Sequence, residues 1–230
     1  MSNNEEPQRK TDPCILFLTK WPTPGYVKTR LGAQIGDDRA ADLYQAFVHD
    51  LLQTLKTLKC VTVCCYDPYV TAEVYENWLG PEHQYQAQEG TDLGQRLDNA
   101  FKGMFTLGFQ RVIVIGTDSP DMPQDYLQQA LTALTSHDAT IGPSQDGGYY
   151  LIGFSRQGYR SEVFQGIPWS TDKVFEQTRM RLKQQCRVHV LPGWYDIDTL
   201  EDLHQLHHRH RQSYFTTSET VAALNKKTRL

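Results

Sequence analysis

Four short apolar runs, CILFLT at 14–19, CVTVCCY at 60–66, RVIVIG at 111–116 and ATIG at 139–142, are separated by segments whose apolar residues recur every three or four positions. Runs this short and continuous suit strands buried on both faces, and the intervening period suits amphipathic helices. The clearest stripe begins after Asp37 and Asp38, either of which suits a helix cap, and takes in Ala40, Leu43, Tyr44, Phe47, Val48, Leu51, Leu52 and Leu55. A helix over 72–79, an extended piece near Tyr85, a helix over 93–105 behind the capping pair Asp92 and Gln95, and a helix opening near Pro123 complete a βαβαβαβ order. Strands at 149–154 and 188–191 flank a helix over 172–183, and a last helix spans 200–210. The alternation predicts an α/β fold with a mostly parallel sheet, helices on both faces and right-handed crossovers.

A chain of 230 residues, 39% hydrophobic, is long enough for one substantial core. The expected division is a disordered N-terminal tail over 1–12, one domain over 13–212 and a polar, loosely held C-terminal tail over 213–230. A net charge of -4 leaves no broad basic footprint, so nucleic acid is not an expected partner and any phosphate binding is local. No apolar run approaches the ~18 residues of a membrane span, and the polar N-terminus lacks the apolar centre of a signal peptide, so a cytoplasmic protein is expected. The five cysteines are odd in number, lack C-x-x-C spacing and fall mostly in strand runs, which predicts reduced core thiols. Nothing in the sequence sets the oligomeric state.

Ligands of open α/β sheets bind outside the carboxyl ends of the strands, and four unusual segments follow strand runs. In WPTPGYVKTRL at 21–31, Pro24 and Gly25 shape an irregular loop before Lys28, Thr29 and Arg30 offer two cations and a hydroxyl, which suits a diphosphate. It is neither a Walker A loop nor a G-x-G-x-x-G fingerprint. In GTDSPDMP at 116–123, the strand delivers Thr117 and Asp118 to its end; Asp118 suits a hard divalent cation, whereas Asp121 suits a turn role. In GPSQDGGYYLIG at 142–153, Asp146, Gly147 and Gly148 read either as a hairpin turn or as a backbone that admits a ligand beside Ser144 and Tyr149. In WYDIDTLEDL at 194–203, Asp196 and Asp198 alternate on an extended stretch and share a side, half a metal site; Asp198 with Glu201 also reads as a helix cap.

The histidines at 204, 207, 208 and 210 have zinc-compatible spacings but read as a solvated helix face. Ser144 lacks the glycine placement of a nucleophile elbow. Trp169 stands near an acceptor in this reading, while Ser170 or Thr171 suits a helix cap.

Taken together, PTPGYVKTRL, GTDLGQRL (with Gly94 and Arg96), GTDSPDMP, GPSQDGGYYLIG, PWST and DIDTLEDL resemble a bacterial family of nucleotide-diphospho-sugar transferase-like proteins, some named glycosyltransferases of arsenosugar biosynthesis. The resemblance spans 14–210 and implies a single GT-A type domain, a fold shared with nucleotidyltransferases acting on molybdenum cofactors and 2-phospholactate. Those relatives carry a DIDTPEDL-like stretch in which Leu200 here replaces proline, and the G-x-G-x-R loop of typical nucleotidyltransferases is replaced by Lys28-Thr29-Arg30. The expected reaction is glycosyl transfer from a nucleotide-diphosphate sugar to a small-molecule acceptor. Asp118, with Asp196 or Asp198, would hold Mg²⁺ or Mn²⁺ against the diphosphate, Lys28 and Arg30 would neutralise the rest, and Asp146 would be the acceptor-side base. The rival readings are nucleotidyl transfer from a nucleoside triphosphate with loss of pyrophosphate, and a nucleotide-binding protein without catalysis.

Overall fold

The computed structural model describes residues 12–210 and 214–225; 1–11 of the expected N-terminal tail, and 211–213 and 226–230, lie outside the described residues. Among the described residues, seven strands form one mixed sheet: β1 (Cys14–Thr19), β2 (Val61–Tyr66), β3 (Gln84–Ala87), β4 (Arg111–Ile115), β5 (Ala139–Pro143), β6 (Tyr149–Ser155) and β7 (Val188–Val190), in the order β3-β2-β1-β4-β6-β5-β7. The run CILFLT occupies the centre because both its faces are apolar. Leu16 lies opposite Val63 of β2 and Val114 of β4, both parallel to it. Its residues alternate sides, Ile15 and Phe17 entering one core and Cys14 and Leu16 the other. Only β6 runs against its neighbours β4 and β5, because the five residues 144–148 return the chain directly as a hairpin.

The helices are α1 (Thr29–Ile35), α2 (Asp37–Lys56), α3 (Ala72–Leu79), α4 (Leu93–Thr106), α5 (Gln124–Ala133), α6 (Val174–Gln185), α7 (Leu200–Arg209) and α8 (Glu219–Asn225). One face of the sheet is covered by α2, α3 and α5 through Tyr44, Val48, Leu51, Tyr75, Leu127 and Leu131. The other is covered by α4 and α6 through Leu97, Phe101, Met104 and Leu182. A third cluster joins Leu31, Leu43 and Phe47 to Leu203 and Leu206, so that α7 closes over α1 and α2. None of the five cysteines is joined in a disulfide, and burial pushes the Cys65 thiol up to about 12. No helix among the described residues is long and apolar enough to cross a membrane.

Three expectations need correction. Gly36, at φ 92°, separates α1 from α2 and takes the cap position, leaving Asp37 and Asp38 in the first turn of α2, where their charge suits the helix dipole but caps nothing. The cap of α7 is a Thr199–Asp202 box, one residue later than Asp198–Glu201, and this frees the Asp198 side chain. Residues 214–225 of the expected polar tail are folded. Phe215 is buried in the third cluster, and the Asp50 carboxylate accepts the backbone N–H groups of Glu219 and Thr220 at 2.8 Å each. With only Phe215, Val221, Ala223 and Leu224 committed to that cluster, so short a helix shows no periodicity to read.

Phe101 is fully buried and its ring packs against Phe105, Phe154, Tyr159 and Phe164. Phe101→Ala is expected to cost about 3–5 kcal/mol, read as a lower urea midpoint with unchanged slope.

Candidate active site

The carboxyl ends of β1 and β4, with Gln88 just past β3, open into a cleft of ≈ 610 Å³ bounded by the 21–31 loop, the start of α4 and the start of β6. Its floor is tied by one buried phenol. The Tyr44 hydroxyl, reaching from α2, accepts the Lys20 N–H at 3.0 Å and shares hydrogen bonds with Thr19 Oγ1 at 3.2 Å and Thr117 Oγ1 at 2.9 Å. Thr117 in turn donates to the Leu18 carbonyl at 3.2 Å. The ends of β1 and β4 are thereby locked together one residue before Asp118. Burial, then the nearby Asp118 charge, push the Tyr44 hydroxyl up, so it stays neutral. Sequence periodicity marks Tyr44 only as a core residue, and its polar tip leaves no trace there.

Lys28 sits just ahead of α1 in a left-handed conformation, φ 47° and ψ 43°, which costs a residue with a Cβ on the order of 1 kcal/mol. Beside it, buried Val27 anchors the loop. The Lys28 side chain is 3% exposed, and its ammonium binds Asp198 Oδ1 at 3.0 Å and Asp118 Oδ1 more closely. Burial alone would lower its pKa, but the two carboxylates overrule that and raise it. Burial likewise opposes ionisation of Asp198, yet Lys28 and then Arg30 hold its carboxyl below the ordinary value. Arg30, 67% exposed, reaches Asp198 Oδ2 at 3.5 Å. Lys28 is therefore committed to carboxylates, and Arg30 is the more available of the loop's two predicted cations. Thr29 lines the cleft, whereas Pro24 and Gly25 form an exposed turn outside it.

Asp196 lies on the segment carried to Asp118 by the Ile197 N–H, which donates to the Asp118 carbonyl at 2.9 Å. Ser119 Oγ donates to Asp196 Oδ1 at 2.9 Å. Burial first, then the charges of Asp118 and Asp146, push the Asp196 carboxyl up to about 7 against that hydrogen bond. Asp118, Asp196 and Asp198 are neighbours, but Asp198 is turned to Lys28. No group of three or more His, Cys, Asp or Glu side chains forms a metal cage among the described residues.

On the opposite wall, the Gln88 amide donates to the carbonyls of Thr19 at 3.1 Å and Cys65 at 2.8 Å, bridging β1 and β2. Its oxygen accepts Arg96 Nη1 at 3.3 Å, and Arg96 Nε donates to the Gly90 carbonyl, which aims this cation along the cleft. Gly94 is a packing position. A Cβ there would stand 2.8 Å from the Phe164 carbonyl and 3.0 Å from the Trp169 ring. Trp169 meets Tyr149 edge-on at 6.4 Å, and Tyr149 lines the cleft with a buried hydroxyl that has no partner.

Asp146, Gly147 and Gly148 form the hairpin turn between β5 and β6. Asp146 Oδ1 accepts the Ser144 hydroxyl and, at 2.8 Å, the Gly148 N–H, so the proposed base spends that oxygen holding the turn. Gly147, at φ 88°, packs against the Asp172 backbone, where a Cβ would collide, and its carbonyl accepts the Phe175 N–H. Asp146 does face a smaller hollow of ≈ 210 Å³ beyond the Asp196–Asp198 segment, lined also by Arg30, Tyr195, Gln205 and Arg209. Asp121 is not a turn residue acting on its own backbone. Its carboxylate is fully buried, accepts Trp194 Nε1 at 3.3 Å, and pairs with His210 at 2.7 Å and Arg209 at 3.4 Å, pinning the end of α7 to the Asp118 loop. The histidines at 204, 207 and 208 lie on the outer side of α7, away from the cleft. Thr171, rather than Ser170, bonds the backbone before α6, accepting the Lys173 N–H.

Because the Asp196 pKa is raised above its unfolded value, its contribution to stability is fully present below about pH 4 and lost as the pH rises through about 7. Asp196→Asn is expected to match the wild type near pH 4 and exceed it by ~1–3 kcal/mol at pH 8 without added metal, read from thermal melts across pH.

A family model described as an uncharacterised protein conserved in bacteria (DUF2064) matches residues 40–171. The chain is similar to a protein from Desulfovibrio desulfuricans G20 described as a candidate nucleotide-diphospho-sugar transferase, at 44% identity and TM-score 0.89 over 92% of this chain and 93% of that one. It shares its fold with a 4-diphosphocytidyl-2C-methyl-D-erythritol synthase from Anaerococcus prevotii DSM 20548, at 10% identity and TM-score 0.55 over 87% and 99% of the two chains. It also shares it with the inositol-1-phosphate CTP transferase from T. maritima, at 15% identity and TM-score 0.52 over 85% and 93%. No curated protein matches the sequence. With the family model covering more than half of it and the Desulfovibrio protein aligned over almost its whole length, the chain is a member of the DUF2064 family and has the nucleotide-diphospho-sugar transferase fold.

Proposed function

We propose that the cleft binds the nucleoside diphosphate of a nucleotide sugar and that the chain transfers the sugar to a small hydroxylated acceptor held in the hollow beyond Asp196. The observation that carries this reading is the placement of Arg30 and Arg96 in one cleft with the half-exposed Asp118, at the carboxyl edge of the parallel strands, each in a long carboxylate contact, Arg30 to Asp198 at 3.5 Å and Arg96 to Asp67 at 3.9 Å. The fold shared with the Desulfovibrio protein supports a nucleotide-using transferase, and Lys28-Thr29-Arg30 in place of the G-x-G-x-R loop of typical nucleotidyltransferases weighs against plain nucleotidyl transfer.

A divalent cation fits the residues present. The charges of Asp118 and Asp146 already raise the Asp196 carboxyl, an excess of negative charge that a cation would relieve. Mg²⁺ and Mn²⁺ need only one or two carboxylates when water and phosphate oxygens complete the shell. Asp118 and Asp196 would hold the ion, with Asp198 retained by Lys28 and Arg30. When bound, it would stabilise the negative charge of the departing diphosphate. The chain's own groups do the rest. Arg96, aimed by Gln88, and Arg30 bind phosphate oxygens through charge-assisted hydrogen bonds. Tyr44 and Thr117 fix the height of Asp118 in the cleft. Tyr149, backed by Trp169, and Leu97 exclude water from its inner wall. Asp146 shapes the acceptor hollow.

Thermal melts with UDP-, GDP- and TDP-sugars and with the four nucleoside triphosphates, each with Mn²⁺ and with EDTA, test the reading. A ligand at 100 times its dissociation constant stabilises by ~2.7 kcal/mol, roughly 5–10 °C for a chain of this size. The expected result is a Mn²⁺-dependent shift with one sugar nucleotide, abolished by Asp118→Asn, and release of nucleoside diphosphate on turnover. A shift with triphosphates only, with pyrophosphate as product, would replace glycosyl by nucleotidyl transfer. Arg96→Ala is expected to weaken binding of the same nucleotide by about 1.5–3 kcal/mol, measured by calorimetry, while the melting temperature of the free protein changes little.

A further inference from the structure

Lys28 is placed unlike a cation that waits for phosphate. Arg30, two residues on, stands 67% exposed at the cleft, but Lys28 is 3% exposed, with its ammonium between Asp118 and Asp198 and the Phe47 ring 5.7 Å away. A left-handed backbone, unusual for a lysine, turns the side chain inward immediately before α1 begins. The two carboxylates come from segments 80 residues apart, and their close approach is enforced by the Ile197 to Asp118 backbone bond. Without a cation between them they would repel, so the ammonium does at this place what a divalent ion does in a carboxylate site.

We infer that Lys28 is the resident counter-ion of the carboxylate site and that a divalent cation arriving at Asp118 and Asp196 displaces its ammonium from Asp118. This rests on the proposed metal reading. An ion bound to Asp118 and the Lys28 ammonium would share one carboxylate at like-charge contact distance, so the two compete. Asp198 loses nothing in the exchange, because Arg30 already pairs with its second oxygen. The displaced ammonium, kept near by Asp198, is then free to meet an incoming phosphate oxygen. Metal entry and phosphate binding become two halves of one charge exchange, and the metal-free site stays neutral enough to fold.

The inference reverses the sign expected of a lysine that only grips phosphate. Removing such a lysine leaves Mn²⁺ binding to the nucleotide-free protein unchanged, whereas removing a competing counter-ion strengthens it. Mn²⁺ is titrated into wild type and Lys28→Met, each free of nucleotide, with bound ion read by electron paramagnetic resonance. The expected result is at least about tenfold tighter binding by Lys28→Met, the scale of deleting one charge beside the ion in a partly exposed site. Equal or weaker binding by the variant overturns the inference. If neither protein binds Mn²⁺ alone, the titration is repeated with UDP, GDP and TDP. Binding by wild type with a nucleotide then refutes the exchange and keeps the metal reading, and no binding in any state refutes both. Should Lys28→Met fail to fold, Lys28→Met with Asp198→Asn, which deletes both charges of the pair, takes its place in the same comparison.

Discussion

The phenol of Tyr44 is the joint on which the cleft is built. It crosses from α2 to the ends of β1 and β4 and satisfies polar groups of Thr19, Lys20 and Thr117 that would otherwise end in a buried corner. A buried hydrogen-bond partner that goes missing costs about 1–3 kcal/mol. The network therefore sets the strand ends with little slack, and Asp118, one residue beyond Thr117, inherits that position. Gln88 repeats the device one strand over, bridging β1 and β2 and presenting Arg96.

Upon this frame the charges divide into spent and unspent. Asp202 is used by the α7 cap, Asp146 by the hairpin turn, Asp121 by the end of α7, and Asp198 by Lys28 and Arg30. What remains for a ligand is the exposed part of Asp118, whose Oδ1 already meets Lys28, the Asp196 carboxyl that burial holds back from ionising, and Arg30 and Arg96, whose carboxylate contacts are long. Counting acidic side chains along the 116–123 and 194–203 segments overstates the metal site, because most of those carboxylates have structural partners.

The central strands were legible because CILFLT and RVIVIG are apolar on both faces, a pattern that fits few other places in a fold. The long stripe of α2 was equally plain. Misreadings came where the deciding partner is distant in sequence. Lys28 shows its charge in the sequence but not Asp198, 170 residues away. The cap of α7 slipped by one residue because Asp198-x-x-Glu201 and Thr199-x-x-Asp202 are both sound capping pairs, and only the pull of Lys28 on Asp198 separates them. Asp146 illustrates the opposite case, in which local chemistry, an aspartate before two glycines, suggests the turn that the structure contains, with one carboxylate oxygen holding it.

The reversed course of β6 has a consequence for how such a site diversifies. Because β6 begins at the same edge where β4 and β5 end, the short turn between β5 and β6 projects beside Asp196 and the smaller hollow, while the larger cleft is lined mainly by crossover loops, with the start of β6 and Asp198. A hairpin turn is less constrained than a crossover loop bound to the helix it feeds, although Gly147 ties this one to Asp172 and Phe175. Under the proposed transfer, Asp146 and its neighbours on this turn are thus the residues through which the acceptor side would vary, with the crossover loops of the larger cleft left intact.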